Sequence, residues 1–165
     1  FAVVSPFYID GTPRIPAAEC RQDQVVARLQ LLLVVVEARR DRRRRGVAVA
    51  VDIDPNAVDT AYENAAMNNI GKENYHVFSG NVITDAEVQS EISKNKYDVV
   101  AANIVADVII ALAPKAHEYM KEGGVFITSG IISGREDEVR AALIENGFEV
   151  VSEKQENDWI SIVCR

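Results

Sequence analysis

From residue 47 onward, short runs of β-branched and small apolar residues alternate with segments whose apolar residues recur at helical spacing. Residues 47–51, VAVAV, have the composition of a strand that is covered on both faces of a sheet. Asp54 then precedes Pro55, the arrangement of an acidic N-cap followed by proline at the first helical position. Apolar residues repeat at i, i+3 and i+4 through residues 55–69, which are therefore predicted to form a helix.

The same alternation continues to the end of the chain. It predicts strands over residues 75–79, 97–103 and 125–129, and helices over residues 85–94, 105–119 and 135–146. Pro114 is expected to break or kink the second of these helices, and Gly123 and Gly124 to end it. Two final strands, residues 148–153 and 159–164, are separated only by a polar loop and are expected to form an antiparallel hairpin. The pattern predicts an α/β protein with a doubly wound, parallel sheet that ends in this hairpin.

Composition narrows the class of protein. A chain of 165 residues with 48% apolar content has the size of one globular domain. No apolar run approaches the roughly 18 residues that span a bilayer, and no signal-peptide pattern is present, so a cytoplasmic protein is expected. Cys20 and Cys164 lie far apart, and His76 and His117 are the only histidines, so no metal site is expected. The net charge of −7 argues against direct nucleic-acid binding and favours a basic partner or a cationic cofactor.

Charge is unevenly distributed along the chain. Residues 1–46 carry a net charge of +4, residues 47–165 carry −11, and residues 12–45 contain no glycine. The run ARRDRRRRG, residues 38–46, has three interpretations: a basic nucleic-acid patch, a solvated helix face, or a misassigned stretch of sequence. The third interpretation is favoured, because residues 1–46 as a whole differ in composition from the rest.

Three candidate ligand-binding positions fall at the ends of successive predicted strands, at the edge where open α/β sheets bind ligands. Asp52 is suited to the two hydroxyls of a ribose, and the alternative is that it only helps Asp54 to cap the helix. Asn81 and Val82 are suited to an adenine edge and an apolar wall. Asn103 can donate and accept hydrogen bonds at once, and the alternative is a turn residue that satisfies the backbone. The functional interpretation is favoured for both Asp52 and Asn103.

The segments AVDIDPNAV, YDVVAANIVADVI and GGVFITSGII, together with the strand that begins at Trp159, carry a family resemblance. Through them, residues 47–165 resemble the class I S-adenosylmethionine-dependent methyltransferases, most closely the ribosomal protein L11 methyltransferases. The resemblance implies a Rossmann-like, mostly parallel seven-stranded sheet with an antiparallel C-terminal strand. It also implies that residues 1–165 form a single methyltransferase domain, in which residues 1–46 are atypical.

The resemblance implies roles for individual residues. The ribose-binding carboxylate of the family corresponds to Asp52, and its cofactor-contacting asparagine corresponds to Asn103, which would also orient the acceptor amine. The acidic residue that many members carry after the third strand is replaced by Asn81, which can still donate to adenine beside Val82. A glycine-rich turn is expected some twenty residues before Asp52, but residues 31–40 read LLLVVVEARR and contain no glycine.

The implied activity is S-adenosylmethionine-dependent methyl transfer to protein amino groups, namely lysine side chains or the N-terminal amine of ribosomal protein L11. Three alternatives stay open. The first is a class I methyltransferase with another protein or RNA acceptor. The second is a NAD-binding Rossmann oxidoreductase, although the early G-x-G-x-x-G motif of that class is absent. The third is a non-catalytic remnant, because the expected glycine turn is not recognisable.

Overall fold

The structure is a computed structural model that describes residues 8–9, 12–13, 31–37 and 46–165. Its strands are β1 (Tyr8–Ile9), β2 (Thr12–Pro13), β3 (Leu31–Glu37), β4 (Val47–Asp52), β5 (Tyr75–Ser79), β6 (Tyr97–Ile104), β7 (Met120–Ile132), β8 (Val150–Glu156) and β9 (Trp159–Cys164). Its helices are α1 (Pro55–Met67), α2 (Ala86–Ser93), α3 (Ala106–Ala116) and α4 (Glu136–Glu145), and a short 3-10 helix (His117–Tyr119) follows α3. The basic run over residues 38–45, and Cys20, lie outside the described residues.

Among the described strands, seven form one mixed sheet in the order β5-β4-β3-β6-β7-β9-β8, and β1 pairs with β2 separately. β4 pairs with β5, and β6 with β7, in parallel. β8 and β9 pair antiparallel, as predicted for the C-terminal hairpin, and β9 also runs antiparallel to β7. The α/β class and the antiparallel C-terminal hairpin are therefore confirmed, while the sheet is mixed rather than mostly parallel.

The central strand β3 is the main departure from the prediction. It runs antiparallel to both of its neighbours, with Val34 opposite Ala50 of β4 and Ala101 of β6. Its first residues therefore lie at the edge where β4 and β6 end, and its last residue lies at the opposite edge. Consequently, the carboxyl end of β3 contributes no turn to the edge that holds Asp52 and Asn103.

The helices pack on both faces of the sheet. Along β4, Val49 and Val51 belong to the main hydrophobic core, whereas Ala50 belongs to a smaller cluster that α1 covers through Ala65. Successive side chains of a strand point to opposite faces, so neither face of β4 is left to solvent. The main core also includes apolar side chains of α2, α3 and α4, such as Ile92, Leu112 and Leu143. The predicted coverage of the sheet on both faces is thus observed along β4.

Two predicted element ends differ from the structure. The helix α3 continues through Pro114 to Ala116, where it becomes the 3-10 helix. Gly123 and Gly124 do not end a helix but lie inside β7, which begins at Met120. The pairing of β6 with β7 shifts between Tyr97 and Val99, and Gly123, with φ of +72°, lies within the additional residues of β7. A residue with this φ is favoured as glycine, which explains the glycine without a helix end.

Among the described helices, none combines the length and apolarity that crossing a membrane requires.

Candidate functional site

Strand pairing places polar residues of four strands at one level, near one edge of the sheet. Ser79 of β5 is paired with Asp52 of β4, and Asn103 of β6 is paired with Ser129 of β7. Leu32 of the reversed strand β3 is in register with both Asp52 and Asn103. The structure thus brings Asp52 and Asn103 to the same level of the sheet, with β3 between their strands.

Asp52 is buried, with 3% of its surface exposed, although it is ionisable. Its Oδ1 accepts a hydrogen bond from the backbone N–H of Asp54 at 2.9 Å. Its Oδ2 is buried and accepts no hydrogen bond from the described residues. A buried carboxylate oxygen without a donor is costly, so Oδ2 is suited to a donor that a ligand brings.

Burial is the main reason that the pKa of Asp52 lies above its ordinary value, and the negative charge of Asp54 raises it further. Hydrogen bonds from the backbone of Asp54 and Ile53 act in the opposite direction. Perturbed carboxylates of this kind cluster at functional sites. A pair of ligand hydroxyls donating to Asp52 would lower this pKa, because hydrogen bonds to the ionised form favour it.

Helix capping does not account for Asp52 fully. Asp54 is itself the N-cap of α1, and its Oδ1 accepts a hydrogen bond from the backbone N–H of Asn56 at 2.9 Å. Asp52 supports this cap through Oδ1 alone, which leaves Oδ2 without a role inside the described fold. The two interpretations that the sequence left open are therefore compatible.

The turn after β5 is fixed by local hydrogen bonds. Asn81 uses Oδ1 to accept from the backbone N–H of Ile83 at 2.9 Å, so only its Nδ2 is left to donate to a ligand. Val82 is largely buried in the main core, and Gln89 of α2 donates to the carbonyls of both Val82 and Ile83. At Gly80, a Cβ would lie 2.5 Å from Val88 Cγ2, so glycine lets α2 approach the turn closely. The roles of Asn81 and Val82 toward a ligand stay predictions.

Asn103 is half-buried at the end of β6, one residue before Ile104 closes the strand. Its Oδ1 accepts a hydrogen bond from the hydroxyl of Ser129 at 3.0 Å. Within the described part of the chain, its Nδ2 makes no hydrogen bond. The side chain is thus held at one end and retains donors at the other.

Ser129 and its neighbour Gly130 are site residues that the sequence did not single out. Both belong to the segment GGVFITSGII, whose residues carry no predicted role. The available signal was that Ser129 ends a predicted strand and Gly130 follows it, but the contact with Asn103 depends on the register of two strands distant in sequence.

Apolar side chains border the same edge. Four of the exposed large apolar residues follow, end or begin strands there: Ile53, Val105, Ile132 and Trp159. Trp159 is 45% exposed and in register with Ile132 at the end of β7. Their exposure leaves apolar surface near this edge that a ligand or partner could cover.

Other candidates take no part in this edge. His76 and His117 are exposed, and the ring of His117 stacks on Phe148. Cys164 is buried, and burial raises the pKa of its thiol to about 11. Among the described residues, no group of three or more His, Cys, Asp or Glu side chains could hold a metal ion.

Comparison with protein families gives one match. The family model described as ribosomal protein L11 methyltransferase (PrmA) matches residues 45–165. Curated proteins similar to the chain include a ribosomal protein L11 methyltransferase of Lachnospira eligens, 43% identical over 119 residues, covering 72% of this chain and 37% of that protein. Another, from Caldicellulosiruptor saccharolyticus, is 42% identical over 120 residues, covering 71% of this chain and 35% of that protein. The chain therefore spans about a third of the length of these relatives.

Solved structures similar to the chain include a ribosomal protein L11 methylase and a fibrillarin. The crystal structure of ribosomal protein L11 methylase from Lactobacillus delbrueckii subsp. bulgaricus has a TM-score of 0.61 and 27% sequence identity, covering 71% of this chain and 56% of that one. Aeropyrum pernix fibrillarin, solved with natively bound S-adenosyl-L-methionine, has a TM-score of 0.55 at 14% identity, covering 70% of this chain and 54% of that one. The second likeness concerns the fold alone.

Proposed function

The chain belongs to the ribosomal protein L11 methyltransferase family, and on that premise we propose that it forms the cofactor-binding part of an S-adenosylmethionine-dependent methyltransferase. The proposed reaction is methyl transfer to amino groups of ribosomal protein L11, on lysine side chains or the N-terminal amine. The proposal also places the protein in the cytoplasm, as the sequence analysis expects. A single domain over residues 1–165 is part of the same proposal.

One observation carries the proposal above all others: Asp52 has one oxygen bound to the helix cap and the other buried without a donor. A ribose supplies two neighbouring hydroxyls, and either can donate to this second oxygen. Asp52 lies at the end of a strand in an α/β sheet, where such sites are found. The donor set therefore fits an adenosyl group.

When bound, the cofactor supplies an activated methyl group on a sulfonium. Asp52 would hold the ribose, while Asn81 and Val82 would face the adenine through the free Nδ2 and the apolar surface of the turn. Asn103 would contact the remainder of the cofactor and the incoming amine. The apolar border formed by Ile53, Val105, Ile132 and Trp159 would exclude water from the reacting atoms.

The acceptor must be an unprotonated amine, and a lysine has an ordinary pKa of about 10.4. Asn103 suits this requirement because its neutral amide does not stabilise an ammonium as a carboxylate would. A half-buried amide can hold the amine by a hydrogen bond and leave its lone pair for in-line attack. The chain then contributes placement and desolvation, and placement alone can lower a barrier by several kcal/mol.

Calorimetric titration with S-adenosylhomocysteine tests the cofactor site. We expect the unmodified chain to bind it and Asp52→Ala to weaken binding by about tenfold or more, since a charged hydrogen-bond partner is lost. Asp59→Ala is the matched control, because Asp59 is an exposed aspartate on α1. Equal affinity of the Asp52→Ala and Asp59→Ala variants would show that the ribose assignment is wrong.

Titration of the unmodified chain with NAD separates the alternative enzyme class. If the chain binds NAD but does not bind S-adenosylhomocysteine, an oxidoreductase is favoured over a methyltransferase.

The acceptor is tested by incubating the chain with radiolabelled S-adenosylmethionine and either ribosomal protein L11 or an unrelated lysine-rich protein. Labelling of the unrelated protein at the same rate would contradict L11 as the specific substrate.

A non-catalytic remnant is a second candidate, favoured by the direction of β3. Because β3 runs opposite to β4 and β6, its carboxyl end lies at the far edge and cannot supply a turn beside Asp52. Such a protein would retain the family fold without the cofactor. Failure of both S-adenosylhomocysteine and NAD to bind would favour this candidate.

A further inference from the structure

We propose that Ser129 is a positioning residue that orients the side chain of Asn103, through a β-bulge that Gly130 makes possible. The functional significance of this orientation rests on the proposed function, in which Asn103 contacts the cofactor and the acceptor amine. Its geometric basis lies entirely in the described residues of β6, β7 and β9.

The bulge is visible in the pairing of β7 with β9. Thr128 is paired with Ile162 and Ile131 with Ile160, so Ser129 and Gly130 together stand opposite the single residue Ser161. Bulges bend a strand and redirect a side chain, and they are frequent next to active sites. In β7 the bulge occurs where pairing with β6 ends, at the level of Asn103.

Gly130 allows the two strand ends to approach. Its φ of +81° is one that side chains rarely adopt, and a Cβ there would lie 3.0 Å from the carbonyl oxygen of Ile104 and 3.1 Å from Asn103 Oδ1. Any larger residue would therefore push against the amide that the site uses. The conformation and the available space both restrict this position to glycine.

Ser129 supplies the orienting hydrogen bond. Its hydroxyl donates to Asn103 Oδ1 at 3.0 Å, which fixes the rotation of the amide and directs Nδ2 away from Ser129. An amide without this bond could turn over and exchange its donor and acceptor ends. Ser129 thus determines which end of Asn103 a cofactor or an acceptor amine would meet.

Nuclear magnetic resonance tests the contact without requiring catalysis. The side-chain amide signals of Asn103 are assigned in the full chain by their loss in Asn103→Ala. We expect Ser129→Ala to shift these signals and Ser161→Ala, which removes a hydroxyl from β9, to leave them unchanged. Unshifted signals in Ser129→Ala, or equal shifts in both variants, would overturn the proposal.

A double-mutant cycle tests whether the contact serves the site. We expect Ser129→Ala to weaken S-adenosylhomocysteine binding by roughly three- to tenfold, the effect of one hydrogen bond, when Asn103 is present. In the Asn103→Ala background the same substitution should change binding by less than about twofold, and Ser129→Thr should retain the affinity of the unmodified chain. The same loss in both backgrounds, or no loss in either, would contradict a role through Asn103.

The two proposals fail in different ways. If the unmodified chain does not bind S-adenosylhomocysteine, the proposed function fails, while the resonance comparison still decides whether Ser129 orients Asn103. If the chain binds but the cycle is additive, the proposed function stands and the positioning role is wrong.

Discussion

Asp52 and Asn103 are in register with the same residue, Leu32, from opposite sides of the strand that separates them. Neighbouring strands lie about 4.8 Å apart, so the two Cα atoms are separated by roughly 10 Å. One side chain offers a buried carboxylate oxygen and the other an amide held at one end. A single extended ligand lying across the strand ends can therefore contact both.

The stability of the protein without ligand should depend on pH through Asp52. Burial raises its pKa in the folded state, so the protonated form is favoured by folding, and this stabilisation is lost as pH rises through the folded-state pKa. We expect the Asp52→Asn variant to become more stable relative to the unmodified chain as pH increases from about 4 to 7. Each kcal/mol of difference in the free energy of unfolding should shift the unfolding midpoint by about 2–4 °C. Thermal unfolding at several pH values measures this difference. A difference that is constant with pH, or that decreases, would contradict the burial of an ionised Asp52.

The pH dependence of methyl transfer should respond to charge at Asn103. A carboxylate in Asn103→Asp would stabilise the protonated acceptor amine, so the neutral amine would become available only at higher pH. We expect the rate to fall at pH 7 and its pH profile to move upward. Rates of label transfer from S-adenosylmethionine between pH 7 and 10 provide the measurement. Asn64→Asp on α1 adds the same charge elsewhere, and an equal upward shift in that variant would exclude a local effect.

The turn after β5 should depend on Gln89. Its Nε2 donates to the carbonyls of Val82 at 3.0 Å and Ile83 at 2.7 Å, and each such bond contributes about 0.5–1.5 kcal/mol. We expect Gln89→Ala to lower the unfolding midpoint and to weaken S-adenosylhomocysteine binding, although Gln89 is not assigned to the ligand. Calorimetry gives both quantities. Gln155→Ala, in the C-terminal hairpin, is the control. Equal losses of stability and binding in the two variants would show that the effect does not come from the turn after β5.

The strand β5 should be less stable without the hydroxyl of Tyr62. The backbone N–H of Val77 donates to this hydroxyl at 3.0 Å, and Tyr75 packs edge-on against the same ring. Tyr62→Phe keeps the ring but leaves the donor of Val77 unpaired, at a cost of about 1–3 kcal/mol. We expect faster hydrogen exchange at the amide of Val77. Unchanged exchange there, with a lower unfolding midpoint, would show that the hydroxyl acts on another part of the fold.

Local signals in the sequence predicted most of the elements from residue 47 onward. Asp54 and Pro55 located the start of α1, because both act on the first turn of a helix without help from distant residues. The strand direction of LLLVVVE could not be predicted, since its apolar residues fit either orientation and the neighbouring strands decide. Gly124 was misread for a similar reason, because the pairing of β7 with β6 extends the strand across it.

Local sequence signals also predicted the site residues at strand ends, but not the contacts that depend on strand register. Asp52 and Asn103 were predicted because each lies at the end of a run of strand residues, and the carboxyl ends of parallel strands share an edge. Ser129 was missed because its role depends on a register between β6 and β7 that no local pattern specifies.

The reversed direction of β3 also bears on the order in which the chain folds. Val34 opposes Ala50, which is near in sequence, and Ala101, which is distant. Contacts between near residues close small loops and form faster than contacts between distant ones. The pair β3 and β4 should therefore assemble early as a local unit, and β6 should join it later, in the slower step that completes the centre of the sheet.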